Sequence, residues 1–313
     1  MTDALSARAA RDQPARFRIR ETRDRRALDA AFSEDRAYAC YALGQLEQVP
    51  FERAHYWMAE GPDGIAIVLH GEGMGVNTYV GGNAAGVDAI LALHPGPRSS
   101  YITTSSPAHR AALERTYHLS EVLPMRRMSV TRASFAAMSL PDGSAARGTR
   151  RLRGEDIRAL NGLYALDGEP STYTADHITL GVYYGAYIGE QLVAAAGTHI
   201  ISPSVGVGVV GNVFTHPAHR GQGLATAVTS RVTAELLDRG CALVALTVDP
   251  DNTPALHAYT RLGYEPGAPV VEARARRRDH LGLRVAVRRY GARRRSDESV
   301  EEYTPSYVLT SDG

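Results

Sequence analysis

The residues most densely spaced for chemistry lie between Gly211 and Ala225, which read G-N-V-F-T-H-P-A-H-R-G-Q-G-L-A. An apolar, glycine-interrupted strand ends at Thr215. A tight turn follows, and Arg220-Gly221-Gln222-Gly223-Leu224-Ala225 opens a helix whose apolar stripe is Leu224, Val228, Val232 and Leu236. Glycines let the backbone turn sharply and come close to a ligand. The first amides of a helix lack intrahelical partners and sit at the positive end of its dipole, so this stretch is built to receive a phosphate group. It is neither a dinucleotide fingerprint, because the glycine spacing is wrong, nor a nucleotide P-loop, because the Gly-Lys-Ser/Thr ending is absent. The chain contains no lysine, so all 35 of its basic residues are arginine and no lysine nucleophile or Schiff base is available.

A second pattern lies about 30 residues downstream of the first. Asn252, Ala255, Tyr259 and Gly263-Tyr264 follow Asn-x-x-Ala-x-x-x-Tyr-x-x-x-Gly-Phe/Tyr, with one helix and one buried strand between the two patterns. The first, R-G-Q-G-L-A, resembles the Arg/Gln-x-x-Gly-x-Gly/Ala signature of the GCN5-related N-acetyltransferase (GNAT) superfamily, and the second resembles that superfamily's next motif. The resemblance implies a GNAT-like α/β fold with a mixed sheet and a splayed pair of parallel strands, here 207–215 and 242–248. It implies acetyl-CoA as cosubstrate and no metal.

On that resemblance, Val213, Phe214 and Thr215 would pair with the pantetheine arm. Arg220, Gly221, Gln222, Gly223, Leu224 and Ala225 would hold the pyrophosphate, and Asn252, Ala255 and Tyr259 would complete the coenzyme site. Tyr259 stands where many members keep a tyrosine to protonate the thiolate. Asn252 equally suits a helix cap ahead of Thr253-Pro254. Many members carry a glutamate on the strand before the phosphate turn; here that strand, V-G-V-G-V-V-G-N-V-F-T, holds no carboxylate. His199, whose ordinary pKa is near neutrality, is the titratable replacement as general base. Glu169, in the loop that would build the acceptor site, would bind a cationic substrate or act through a water that Asn212 could orient. His216 and His219 shape the phosphate turn. Tyr164, Tyr173, Tyr183, Tyr184 and Tyr187 cluster on the acceptor side, some lining a pocket and others facing the core. Cys241 begins a buried strand as a small apolar residue.

The elements that must position these groups alternate between strand and helix. In the second half, strands are expected at 149–152, 182–188, 191–201, 205–215, 242–248 and 270–276, with helices at 155–164, 175–180, 224–236 and 254–262. The first half has a similar rhythm, with helices at 27–45, 87–93 and 108–117, and strands at 56–59, 65–70, 76–80, 101–104 and 125–131. The order of elements suggests a diverged repeat, and the resemblance to bipartite acyltransferases implies two tandem GNAT-like domains: a degenerate one at 16–136, a linker at 137–147, and the catalytic domain at 148–278. Gly81–Gly86 is at most a degenerate copy of the phosphate turn. Residues 279–313 read as a weakly ordered arginine-rich tail with one added strand, 281–287 being its apolar stretch.

Length and composition agree with this plan. The chain has 313 residues, 44% hydrophobic and 22% charged, enough for two globular domains. A net charge of +1 gives no field for nucleic acid or membrane, and neither is expected as a partner. The two cysteines lie far apart, which suits a cytoplasmic setting. There is no apolar run of transmembrane length and no signal-peptide h-region. The expected reaction transfers an acetyl group to a primary amine of a small molecule, a homodimer being left open. A non-catalytic acyl-CoA sensor and a protein N-acetyltransferase are the alternatives.

Overall fold

The computed structural model describes residues 16–73, 75–144, 146, 148–168, 173–279, 282–293 and 300–304. The first half runs β1 (Phe17–Glu21), α1 (Arg25–Phe32), α2 (Cys40–Gly44), α3 (Gln48–Glu52), β2 (His55–Gly61), β3 (Gly64–Gly73), β4 (Gly75–Gly82), α4 (Ala84–Leu93), β5 (Ser99–Thr104), α5 (Arg110–Thr116) and β6 (Tyr117–Thr131). The second half runs β7 (Thr149–Arg151), α6 (Ile157–Tyr164), α7 (Ala175–Leu180), β8 (Tyr184–Ile188), β9 (Gln191–Ser202), β10 (Val207–Thr215), α8 (Leu224–Asp238), β11 (Leu243–Val248), α9 (Thr253–Arg261), β12 (Glu265–Arg277), α10 (Leu283–Arg293) and β13 (Glu301–Tyr303). No helix among the described residues is long and apolar enough to cross a membrane.

Two compact units result, and neither is a contiguous stretch of chain. The first comprises residues 1–28, 48–123 and 270–313; the second comprises 29–47 and 124–269. The expected boundaries at 136 and 148 do not coincide with this division. Two features account for the difference. Residues 126–131 of β6 form an antiparallel ladder with β11, whereas residues 273–276 of β12 pair with β5. Residues 29–47 also pack on the second unit, where a Cβ on Gly44 would stand 2.6 Å from Ile200 Cγ2. Ser202 Oγ donates to Glu47 Oε1 at 2.7 Å, and Arg36 Nη2 donates to the Val205 carbonyl.

In the second unit the strand order is β6-β11-β10-β9-β8-β7. Parallel pairing of β10 with β11 is confined to Val207↔Leu243, Gly208↔Val244 and Val209↔Ala245. Past that point the two strands separate. Helix α8 packs through Leu224, Val228, Val232 and Leu236 onto a core that also holds Val244, Leu246, Tyr259 and Tyr264. A second apolar cluster joins Leu160, Leu163, Tyr164 and Ile178 of α6 and α7 to Tyr183, Leu192 and Ala195.

The first unit has the order β13-β1-β2-β3-β4-β5-β12 and a core that includes Phe17, Val68, Val87, Ile90, Ile102 and Tyr117. Here β4 and β5 remain paired up to Tyr79↔Thr104, the last residue of β5. The Gly81–Gly86 turn is closed: the Tyr79 hydroxyl lies where a Cβ on Gly81 would stand, and Asn83 Oδ1 takes the Gly86 amide at 2.9 Å.

Three local expectations are corrected. The helix expected over 27–45 is broken, because Asp35 Oδ1 accepts the Tyr38 amide at 2.9 Å and competes with helical bonding. In the tail, where one added strand is the expected element, the chain is helical from Leu283, and Asp279 accepts the amides of Gly282, Arg284 and Val285 to start that helix. The added strand lies instead at Glu301–Tyr303, paired with β1. The 137–147 linker is not simply solvated. Phe135, Met138 and Leu140 pack on the second unit's core, and the Met138 amide donates to Ser230 Oγ at 2.8 Å.

Candidate active site

Separation of β10 from β11 leaves the end of β10 unpaired on that side. Residues 211–215 are all partly exposed, whereas Val207–Val210 are buried. The register with β9 slips between Gly211 and Phe214, and Asn212 at this bulge has φ 54°, in the left-handed region. Asparagine tolerates that conformation better than most L-residues. Three tyrosines from different segments hold it. The Tyr164 hydroxyl donates to the Asn212 carbonyl at 2.6 Å, the Tyr173 hydroxyl donates to Asn212 Oδ1 at 2.6 Å, and Asn212 Nδ2 donates to the Tyr183 hydroxyl at 3.2 Å. Burial raises the Tyr164 pKa well above its usual value and that of Tyr173 to about 12, so these hydroxyls stay protonated.

At the far end of the same strand, Gly221 and Gly223 stand at φ 77° and 74°. Gly223 is the N-cap of the 15-residue α8 and contributes no side-chain cap, so the first-turn amides stay available. Arg220, Gly221 and Gln222 are exposed, and Arg220 lies over the Phe214 ring at 5.8 Å. Pro141 approaches this turn: a Cβ on Gly223 would stand 3.0 Å from Pro141 Cγ.

His199 on β9 lies over Gly211, whose Cβ, if present, would stand 1.9 Å from His199 Nε2. Its ring centroid is 6.0 Å from that of Tyr41. Burial, reinforced by the Arg127 guanidinium, lowers its pKa from 6.5 to about 4, so the imidazole is neutral at neutral pH. Arg127 itself is fully buried on β6, with its guanidinium 5.1 Å from the Tyr41 ring. Tyr259 is 7% exposed and packs against Tyr264; burial raises its pKa to about 12. Asn252 caps α9 by accepting the Ala255 amide at 3.2 Å. Ala255 is partly buried beside the same core.

The structure therefore gathers Val213, Phe214, Thr215 and the 220–225 turn along one strand-to-helix path, with Asn212 and His199 at its other end. Glu169 lies outside the described residues. Tyr187 bonds Asp156 and Arg150, and Tyr184 is buried, apart from the Asn212 cluster. Tyr41 and Arg127 had no signal in the sequence, because one stands in a helix of the first half and the other in a strand read only for its apolar residues.

A parallel pair that opens toward a glycine-rich helix start is the arrangement expected of a GNAT-like mixed α/β fold. Residues 156–264, about a third of the chain, match the model of the acetyltransferase (GNAT) family. A solved Drosophila protein is 16% identical, with 80% of this chain and 87% of that one covered at a TM-score of 0.56, and shares the fold. A GCN5-related N-acetyltransferase from Sphaerobacter thermophilus is 19% identical, with 82% and 95% covered at a TM-score of 0.49. Another from Kribbella flavida is 22% identical, with 67% and 86% covered at 0.48.

Proposed function

We propose that the second unit transfers the acetyl group of acetyl-CoA to a primary amine of a small molecule. Acyl transfer in general is supported by the family match over residues 156–264. The observation that supports the coenzyme site is the cradle itself: two left-handed glycines before the uncapped start of α8, continuous with a half-open strand end. The turn 220–225 would hold the pyrophosphate, and residues 213–215 would pair with the pantetheine arm. When bound, the coenzyme supplies an activated acyl group as a thioester.

The chain's own residues are assigned the remaining work. The acceptor amine enters beside Asn212 and His199 as the free base, and its nitrogen forms the new C–N bond as the C–S bond breaks. A conjugate acid near 4 makes His199 a weak base. It is therefore assigned to accept a hydrogen bond from the incoming N–H, with the proton passing on to solvent. Tyr259, protonated at all working pH, would give its proton to the departing sulfur and regain one from water.

The test is calorimetric titration with acetyl-CoA on wild type and Gly223→Trp, followed by thiol release across a panel of amines. One site per chain, lost in the variant, with release stimulated by an amine, is expected. Binding that survives Gly223→Trp overturns the coenzyme site. The carboxylate-free β10 favours one rival, an acyl-CoA sensor. That reading predicts tight binding at the same site with no amine-stimulated release.

A further inference from the structure

The arginine-rich tail is not absorbed by acyl transfer. In the first unit it closes a cavity of about 310 Å³ between the C-terminal ends of α4 and α5, the end of β12 and the start of α10. Five arginines line it: Arg115, Arg277, Arg278, Arg284 and Arg288. The one carboxylate on the wall, Asp279, already accepts three backbone amides at the start of α10. Those bonds hold its pKa below the usual carboxylate range, so it stays ionised but is directed at the helix.

The cations from β12 and α5 are anchored through Nε. Arg277 Nε donates to the Asp279 carbonyl at 2.9 Å and its Nη1 to the Gly96 carbonyl at 3.1 Å. Arg278 Nε donates to the carbonyls of Glu114 and Tyr117, at 2.7 and 3.0 Å. Arg115 Nε meets the buried Asp88 at 2.8 Å. Backbone carbonyls orient Arg277 and Arg278 without neutralising them, whereas Arg115 is paired with Asp88. Arg284 and Arg288 make no ion pair with a carboxylate among the described residues. Like charges gathered in a concave, partly desolvated place repel unless an anion joins them.

We propose that this cavity is a binding site for a small ligand carrying one or two phosphate groups. The guanidinium fork matches phosphate oxygens in pairs, and several forks facing one space suit a multiply charged anion better than a single carboxylate. The volume lies at the small end of metabolite pockets and favours a compact ligand over a duplex or a bilayer surface. The site stands in the first unit and is independent of the acetyl-CoA reading.

Inorganic pyrophosphate is the probe, titrated calorimetrically into the full chain at low and high salt. Wild type, Arg284→Gln/Arg288→Gln and Gly223→Trp are compared. Pyrophosphate binding that persists in Gly223→Trp and weakens about tenfold or more in the double arginine variant is expected. Acetyl-CoA binding by the double variant reports that it is folded. No binding to wild type overturns the proposal, as does binding lost in Gly223→Trp but kept in the double variant. Tighter binding of a short DNA duplex than of pyrophosphate also overturns it, in favour of a nucleic-acid surface.

Discussion

The Tyr173 hydroxyl donates to Asn212 Oδ1 at 2.6 Å, and Asn212 holds φ 54° in the middle of β10. A side-chain bond thus stabilises a backbone conformation that most residues avoid, at the place where the sheet opens. Asn212→Ala should lower stability by about 2–3 kcal/mol, from lost hydrogen bonds and a worse left-handed residue. Asn212→Gly should recover the backbone part of that loss but not the acyl-transfer rate. Urea unfolding and turnover on the same samples check this. Wild-type turnover in Asn212→Gly would exclude a role for the carboxamide.

Gly223→Ala should weaken acetyl-CoA binding about tenfold or more, because an added methyl meets Pro141 and φ 74° disfavours an L-residue. Pro141→Gly should relieve the first cost and leave the second. A double-mutant cycle by calorimetry separates them, and strict additivity would mean that Pro141 does not press on the turn.

Gly211→Ala should expel the His199 ring, since the new Cβ would stand 1.9 Å from Nε2. The expected signature is a shifted imidazole resonance whose pKa returns toward 6.5. If His199 sits beside the attacking amine, Gly211→Ala and His199→Ala should slow turnover to a similar extent. Unchanged turnover in both removes His199 from the reaction.

Tyr259→Phe should reduce kcat about tenfold while the Kd for acetyl-CoA stays within about twofold. A loss of affinity at unchanged kcat would assign the hydroxyl to binding instead.

Stability of the first unit should fall with acid through His70. Burial lowers its pKa to about 4 in the folded chain, against 6.5 when unfolded, despite its bond to the His94 carbonyl. As pH drops from 6.5 toward 4 the unfolded chain takes up this proton first. The contribution is complete above 6.5 and is lost by about pH 4, amounting to about 3 kcal/mol at most. Urea midpoints at pH 7 and pH 4.5 should differ less in His70→Gln than in wild type. Other buried histidines keep some slope, so an identical slope in the variant would count against His70.

The sequence by itself determined the strand-turn-helix at 207–238, the cap at Asn252, and the strands read from apolar runs. Each depends on local periodicity or on side chains a few residues away. It also marked the 220–225 turn, because glycines at a helix start are a local requirement of anion binding. Only the tertiary structure decided which strands pair. Ladder partners such as Val248 and Arg126 lie far apart in the chain, and β6 and β12 look alike to any local rule. The surroundings of His199 were likewise invisible. Its pKa is set first by the depth at which the packed chain encloses it and then by the guanidinium of Arg127. Burial is a property of the packed chain, so a histidine that reads as a neutral-range base in sequence becomes a weak one in the fold.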